Sequence, residues 1–283
     1  MRAAFTTVPI VRIRAENPHT RTFFFKHALG AKPGQFVMLW QPGFDEKPMS
    51  VAFSQGDEFG LTVAKVGPST EHLFTLKKGD RLGVRGPYGT HYTLPSLSAS
   101  VASGSKIESK AGVKAKHKRI AMVGGGFGSA PLRFLTELAV PAGFHVDFIQ
   151  GARSVDRLIL QKDIQQLGAH LHVATNDGSE GIKGLVTDIL ETLLVKNKYD
   201  CVYTCGPELM MQAVGKLSEA HGVPCQVSVE RYMKCGFGVC GQCDCGGILT
   251  CVEGPVVFYS DIKKNPEFGV FHRDGSGQKH YYK

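Results

Sequence analysis

The sequence lacks any long apolar run. Among its 283 residues, no uncharged apolar stretch approaches the roughly 20 residues that a membrane-spanning helix needs. The first residues, MRAAFTTVPIVRIRAENPH, contain neither the apolar segment nor the cleavage-like site of a signal peptide. We therefore expect a soluble chain with no membrane span and no signal peptide.

Cysteine is scarce and unevenly placed. The chain has eight cysteines, and five of them lie in CGFGVCGQCDCGGILTC between Cys235 and Cys251. A small secreted domain would spread an even number of cysteines through a disulfide framework. The bunching instead favours a reduced, cytoplasmic protein that uses thiolates as ligands.

Positive charge is concentrated in one segment. The formal net charge is +8, and six Lys and Arg residues against one Glu give residues 95–119 a charge of +5, which leaves +3 for the rest. This segment has no Phe, Tyr or Trp, whereas single-strand nucleic-acid binders use such rings for stacking. We interpret it as a solvated connector and expect no nucleic-acid partner.

The sequence divides into segments of different type. Residues 1–94 contain six short β-rich runs separated by turn residues, which predicts a small antiparallel barrel or sandwich. Residues 95–118 are rich in Ser, Ala, Gly and Lys and are predicted to be a flexible linker or insertion. Residues 119–230 alternate strand-like and helix-like runs, which predicts a parallel-sheet α/β domain. Residues 231–270 form an appended cysteine module, and the tail 271–283 is expected to fray.

Three loops of the α/β segment are candidates for binding a dinucleotide. VGGGFGSAPL follows a predicted strand, and its glycines would let the backbone approach a pyrophosphate at the start of a helix. Ser129 occupies the last glycine position of G-x-G-x-x-G, so a plain strand-to-helix turn is the alternative. ATNDGSEG and TCGPELM also follow predicted strands. The candidate NAD(H) residues are Gly124, Gly125, Gly126, Gly128, Gly206 and Pro207, with Cys205 as a candidate catalytic thiol or a structural one.

The barrel segment offers three turns with hydroxyl and N–H groups. DEKPMSVAF, AKVGPST and GPYGT supply a Lys-Pro-x-Ser strand entry, a Ser-Thr pair and a Gly-Pro-x-Gly turn. Such groups suit the ribityl chain and pyrophosphate of a flavin. From chemistry alone, ordinary turns explain them equally well.

The cysteine spacing indicates a metal centre. Cys235, Cys240, Cys243 and Cys251 follow C-x4-C-x2-C-x7-C, and the first three match the plant-type [2Fe–2S] spacing. A structural zinc site would more often show a second paired knuckle, which favours iron–sulfur over zinc. Cys245 lies two residues after Cys243 and could replace it or Cys251 as a ligand.

The combination of these motifs resembles the ferredoxin–NADP reductase superfamily. More narrowly, TNDGSEGIKGLVTDIL and ERYMKCGFGVCGQC…CVEGPVVF resemble the electron-transfer subunit of NAD-linked dihydroorotate dehydrogenases. The resemblance implies an FAD-binding β-barrel, an NAD-binding α/β domain and a C-terminal [2Fe–2S] module. It also implies a heterotetramer with an FMN-containing catalytic subunit that oxidises dihydroorotate in pyrimidine biosynthesis.

The resemblance implies site residues position by position. Lys47, Pro48, Met49 and Ser50 match the flavin motif Arg-Pro-x-Ser, with Lys in place of Arg. Further flavin positions are Val63, Ala64, Lys65, Ser69 and Thr70, and the four cluster ligands are Cys235, Cys240, Cys243 and Cys251.

Two other functions remain open at this stage. Similar subunits serve hydrogenases, sulfur reductases and ferredoxin:NADP reductases, and the cysteine loop alone does not separate them. A zinc-stabilised binding module is the non-enzyme alternative.

Overall fold

The first six strands close into an antiparallel barrel. The computed structural model describes residues 4–95 and 118–282. The barrel order is β1-β2-β5-β4-β3-β6, with β6 pairing back onto β1, so a closed barrel rather than a sandwich is formed. The strands are β1 (Thr6–Asn17), β2 (Thr20–Lys26), β3 (Phe36–Trp40), β4 (Glu46–Gln55), β5 (Glu58–Ala64) and β6 (Arg81–Tyr88). Aromatic and β-branched side chains fill its interior, with the Phe25 and Phe59 rings stacked 5.0 Å apart.

A short helix, α1 (Pro68–Leu73), lies between β5 and β6 where the sequence predicted only a turn. Pro68 occupies its first turn, and the Thr70 hydroxyl accepts hydrogen bonds from the N–H groups of Val66 and Gly67. Six residues are too few to show a helical period, which explains why the helix was missed.

The α/β domain has the predicted parallel sheet, and six of its strands run parallel to one another. Their order is β10-β9-β8-β7-β11-β12. The elements are β7 (Arg119–Gly125), α2 (Ser129–Ala139), β8 (His145–Ala152), α3 (Gln161–Gln166), β9 (His170–Thr175), β10 (Ile182–Lys183), α4 (Val186–Lys196), β11 (Cys201–Cys205), α5 (Glu208–Ala220) and β12 (Cys225–Ser228). Because all these strands run the same way, the loops that follow them meet at one edge of the sheet.

The cysteine module follows the α/β domain, as predicted, and it also adds a strand to the large sheet. Its strand β15 pairs antiparallel with β12 and becomes the edge of the large sheet. The remaining elements are β13 (Asp244–Cys245), β14 (Ile248–Leu249), β15 (Val256–Phe258), α6 (Tyr259–Ile262), β16 (Phe271–Arg273) and β17 (Lys279–Tyr281). The pairing was missed because VVF is too short to be distinguished from a loop by its pattern.

The prediction of a frayed tail is wrong. β16 and β17 form an antiparallel hairpin, and the Asp274 carboxylate holds its turn by accepting hydrogen bonds from the N–H groups of Ser276 and Gln278. The Tyr282 hydroxyl donates to the buried Glu208, which ties the hairpin to α5. The polar turn residues, which suggested disorder from the sequence, instead form hydrogen bonds with one another.

The barrel and the α/β domain share a packed boundary. Helix α2 lies on β4, with Arg133 4.0 Å above the Phe53 ring, and Phe134 belongs to the barrel core. The Thr90 hydroxyl bonds both the N–H and the carbonyl of Val256 on β15. The flavin-type and nucleotide-type loops are therefore held in a fixed relation.

The structure leaves part of the predicted organisation untested. The predicted linker 95–118 falls almost wholly outside the described residues, as do residues 1–3 and 283. The domain bounds 1–94, 119–230, 231–270 and 271–283 stay a prediction. Among the described residues, no helix is both long enough and apolar enough to cross a membrane.

Candidate functional site

The cysteine loop brings four thiols to one place. Glycines at 236, 238 and 241 adopt positive φ angles of 80°, 85° and 69°, which lets the chain curl around the cysteines. Cys243 and Cys251 are buried together in one apolar cluster, while Cys240 is exposed and Cys235 is half-buried. Two of the predicted ligands are therefore buried against the protein, and the other two face the solvent side of the loop.

Backbone N–H groups point at the sulfurs. Gly238 donates to Cys251 Sγ at 3.2 Å, Val239 donates to Cys235 Sγ at 3.4 Å, and Cys251 donates to Cys243 Sγ at 3.4 Å. Iron–sulfur clusters are held by thiolates, and N–H···S bonds stabilise their negative charge. The donor set therefore fits a [2Fe–2S] cluster.

The thiol pKa values differ along the loop. Desolvation opposes ionisation of Cys235, but N–H groups of Cys240, Phe237 and Val239 outweigh it and lower the pKa of its thiol to about 6. Desolvation and the neighbouring Cys243 raise the pKa of Cys251 to about 12. When a cluster binds, the Cys251 thiol on the buried side of the loop must therefore lose a proton.

The barrel supports the loop directly. A Cβ added to Gly236 would lie 2.7 Å from Met38 Cγ, so only glycine lets the loop approach β3 this closely. The apolar cluster that contains Cys243 and Cys251 also contains Met38 and Tyr88 of the barrel. The loop is thus packed on β3 and β6, next to the strand that carries the flavin motif.

Arg85 fastens the loop, and the sequence reading missed it. This buried side chain on β6 donates to the carbonyl of Cys235 at 2.5 Å and bonds Glu46 of β4 at 2.6 Å. Charged hydrogen bonds of this kind are among the stronger ones in proteins. A charged residue within the otherwise apolar run LGVRGPY was the signal that could have identified it.

Cys245 lies in different surroundings from the four candidate ligands. Its Sγ is fully buried in the α/β core cluster and accepts a hydrogen bond from Arg231 Nη2 at 2.9 Å. Arg231 itself forms a buried bidentate pair with Glu208, at 2.5 and 3.0 Å. Desolvation raises the pKa of the Cys245 thiol to about 11, which keeps it protonated.

Two of the predicted nucleotide loops touch each other. A Cβ on Gly128 would lie 2.3 Å from the carbonyl oxygen of Cys205, and one on Gly206 would lie 2.9 Å from Gly125 Cα. Gly126 has a φ of 55°, and a Cβ there would point into open space. The glycines therefore form an open cradle of backbone at the carboxyl ends of β7 and β11, which fits a pyrophosphate.

Cys205 and Glu230 stand at the end of the neighbouring strands. Desolvation and the charge of Glu230 raise the pKa of Cys205 to about 12, so its thiol is neutral and not a nucleophile at ordinary pH. Glu230 reaches solvent just after β12, but the surrounding protein and then the charge of Glu208 raise the pKa of its carboxyl. Glu230 was missed, although its place after a parallel strand could have indicated it.

The flavin candidates line the barrel side. Lys47 Nζ lies 3.2 Å from Asp45 Oδ2 and 5.4 Å from the centre of the half-exposed Tyr232 ring. Strand β5, which ends at Ala64, approaches the turn at 126–128 with its exposed Phe127. A cation beside one aromatic ring, and the exposed Phe127 in a glycine-containing turn, fit the phosphates and the isoalloxazine ring of a flavin cofactor. Pro48, Met49, Ser50 and Val63 lie on the same strands, β4 and β5.

The hydroxyls of Ser69 and Thr70 are already engaged. Ser69 Oγ donates to Asp45 at 2.7 Å and accepts from Gln41 at 2.8 Å. Thr70 Oγ1 accepts the N–H bonds that begin α1. These two residues would therefore meet a flavin through their backbone rather than through their side chains.

Two family descriptions match parts of the chain. Residues 230–263 match the "Iron-sulfur cluster binding domain of dihydroorotate dehydrogenase B", and residues 122–216 match the "Oxidoreductase NAD-binding domain". The first span contains all five cysteines of the loop, and the second contains the glycine cradle.

Two archaeal relatives match over nearly the whole chain. Proteins of Methanocaldococcus jannaschii and Methanopyrus kandleri are 39% and 42% identical to it, over 96% and 95% of this chain and 97% and 91% of theirs. Both are named "Probable dihydroorotate dehydrogenase B (NAD(+)), electron transfer subunit".

Solved structures share the fold. The structure of an NADH-dependent reduced ferredoxin-NADP oxidoreductase superposes with a TM-score of 0.74 and 29% identity, over 89% of this chain and 88% of that one. The cytochrome b5 reductase domain of Ulva prolifera nitrate reductase gives 0.60 at 18% identity over 77% and 93%, which supports the barrel and α/β fold alone.

Proposed function

Since the chain belongs to the family of dihydroorotate dehydrogenase B electron transfer subunits, we propose that it passes electrons between NAD(H) and a dihydroorotate dehydrogenase catalytic subunit. The protein is an oxidoreductase component whose cofactors are FAD, a [2Fe–2S] cluster and NAD(H). The partner we propose is an FMN-containing subunit that oxidises dihydroorotate, assembled with this chain as a heterotetramer in the cytoplasm.

One observation carries the electron-relay proposal. The cysteine loop is packed on β3 and β6, and Arg85 joins the carbonyl of Cys235 to Glu46, the residue before Lys47 of the flavin motif. A cluster in the loop and a flavin on β4 would therefore share one rigid support. Fixed separation is what a protein must supply for electron transfer between bound cofactors.

The chain's own groups have distinct tasks in this proposal. When bound, FAD exchanges a hydride with NAD(H) and exchanges single electrons with the cluster. The cradle of Gly124, Gly125, Gly126 and Gly128 with Gly206 and Pro207 holds the dinucleotide. The neutral Cys205 thiol would lie beside the bound nicotinamide ring, and the Glu230 carboxyl, whose pKa is raised, could hold a proton nearby.

The flavin and cluster residues are part of the same proposal. Lys47, which is paired with Asp45, would neutralise phosphate charge of the flavin, and Tyr232 would offer a ring face beside it. The other proposed flavin contacts are Pro48, Met49, Ser50, Val63, Ala64, Lys65, Ser69 and Thr70. The proposed cluster ligands are Cys235, Cys240, Cys243 and Cys251, so that residues 1–94, 119–230 and 231–270 each carry one cofactor.

The similarity to a ferredoxin-NADP oxidoreductase supports a second candidate. At 29% identity and a TM-score of 0.74, that structure resembles this chain over 89% of its length. In this alternative the same cofactors would exchange electrons with a different partner subunit. The two candidates agree on the cofactors and differ in which protein binds beside the loop.

Anaerobic co-purification with the candidate catalytic subunit tests the proposal. We expect a stable complex with flavin and iron–sulfur absorbance, in which NADH bleaches the flavin and dihydroorotate reduces NAD+. A complex that lacks dihydroorotate activity, or a chain that binds only a ferredoxin-dependent partner, would favour the second candidate.

A cluster-free variant separates the relay from simple flavin chemistry. Cys240→Ser removes the exposed ligand, so the fold should tolerate it. We expect NADH to bleach the flavin at the normal rate while dihydroorotate-dependent NAD+ reduction is lost. Full activity in a variant that contains no iron would disprove the relay.

A further inference from the structure

A group of histidines surrounds a buried carboxylate at the edge of the sheet opposite the glycine cradle. Asp147 is only 3% exposed, and its oxygens lie 3.6 Å from His145 Nε2 and 3.0 Å from His172 Nε2. The ring of His170 lies 4.5 Å from that of His145. The proposed electron-transfer function uses none of these side chains.

The strand register places these residues on one face. Asp147 of β8 pairs directly with His170 of β9, and the two strands are parallel. His145 precedes Asp147 by two residues and His172 follows His170 by two, so all four side chains point the same way. The cluster follows from regular strand geometry and does not depend on a loop.

The spacing suits a small cation. One donor atom from each of His145, Asp147 and His170 lies within 4.8 Å of the other two. Tetrahedral ligands with bonds of about 2.0–2.1 Å lie about 3.4 Å apart, so a modest rotation of the half-buried His145 ring and the exposed His170 ring closes the site. Two imidazoles and a carboxylate favour a borderline metal such as Zn²⁺ over Mg²⁺ or Ca²⁺, which prefer oxygen ligands.

The carboxylate is held in place from both sides. His172 Nε2 bonds Oδ1 at 3.0 Å, and the Tyr199 hydroxyl donates to Oδ2 at 2.7 Å. Metal-binding carboxylates are commonly fixed by such outer hydrogen bonds. The positive charge of Arg119 disfavours binding of a cation, because its Nε lies 3.7 Å from Asp147 Oδ2.

We propose that His145, Asp147 and His170 form a binding site for a divalent transition-metal ion of the zinc type, and that His172 is a positioning residue for Asp147. The ion would link β8 to β9 at their first residues. Arg119 sets the affinity by adding a positive charge that the ion must overcome.

Zinc titration of the holoprotein, with flavin and cluster bound, tests the proposal. Isothermal calorimetry with zinc chloride should find a site in the wild type that weakens about 100-fold in His170→Ala and about tenfold in His172→Ala. His221→Ala is the matched control, because His221 is exposed and lies outside the group. Zinc bound by cysteines appears equally in every variant and is subtracted.

Arg119→Gln gives a result that a merely structural role would not. Removing a charge about 6 Å from a dication should tighten zinc binding about tenfold. Flavin and cluster spectra check that each variant is folded. Equal zinc affinity in wild type, His170→Ala and His221→Ala would overturn the proposal, as would unchanged or weaker binding in Arg119→Gln.

Discussion

Substituting two of the five clustered cysteines shows which of them are cluster ligands. We predict that Cys245→Ser keeps the iron–sulfur cluster and Cys243→Ser loses it. Cys243 lies in the apolar group with Cys251 against the barrel, and its sulfur accepts the Cys251 N–H. Cys245 belongs to the α/β core and bonds Arg231.

The structure also gives the size of the effect on stability. A serine at 245 still offers Arg231 an acceptor but places a hydroxyl among apolar groups, which should lower the free energy of unfolding by about 1–2 kcal/mol. Cys245→Ala removes the acceptor and leaves a small void. Because Arg231 keeps its bidentate pair with Glu208, we expect a loss of about 2–3 kcal/mol rather than more.

The assay combines cluster content with stability. Iron and acid-labile sulfide are measured per bound flavin, and guanidinium unfolding gives the free energy of unfolding. Cys245→Ser and Cys245→Ala should retain full iron and sulfide, whereas Cys243→Ser should retain flavin alone. If Cys245→Ser loses iron while Cys243→Ser keeps it, the ligand assignment is wrong.

Four further substitutions test other parts of the site. Arg85→Met frees the carbonyl of the first ligand cysteine, so a chelator should remove iron about tenfold faster with flavin retained; an unchanged rate would contradict this role. Because the pKa of Glu230 is raised, this carboxyl keeps its proton to a higher pH in the folded state than in the unfolded state. Its contribution to the free energy of unfolding therefore falls as pH rises above 4.5. Glu230→Gln should lack that fall in unfolding curves measured across pH, and parallel curves would argue against it. Gly128→Ala forces a Cβ against a carbonyl and should lower the free energy of unfolding by about 3 kcal/mol, against about 1 kcal/mol for Gly126→Ala, and thermal melts giving the opposite order would refute the cradle geometry.

The parts predicted from sequence are those that depend on local pattern. Alternating β-rich runs predicted the barrel strands, and strand–helix alternation predicted the parallel sheet, because each pattern repeats over many residues. The C-x4-C-x2-C spacing identified the cluster module because it is a local signature within a few residues. The resemblance to the reductase superfamily is confirmed by the relatives.

The missed features all depend on contacts between distant residues. Arg85 meets the loop 150 positions later in the chain, and β15 joins the sheet through β12. The Asp147 cluster requires the register of two strands, which no single run of sequence reveals. The tail hairpin is tied to α5 by the hydrogen bond from the Tyr282 hydroxyl to Glu208. Such pairings are set by the packed fold rather than by local preference.

Two buried arginines explain how a loop with little secondary structure keeps its shape. Two-residue strands at 244–245 and 248–249 cannot fix the four sulfurs by themselves. Arg85 anchors the loop's start to the barrel, while Arg231 anchors Cys245 to the α/β domain through Glu208. Because each arginine makes several charged hydrogen bonds, loss of either should cost more than one hydrogen bond. The loop's geometry is therefore a property of both domains together, and anything that shifts one domain against the other should also disturb the cluster.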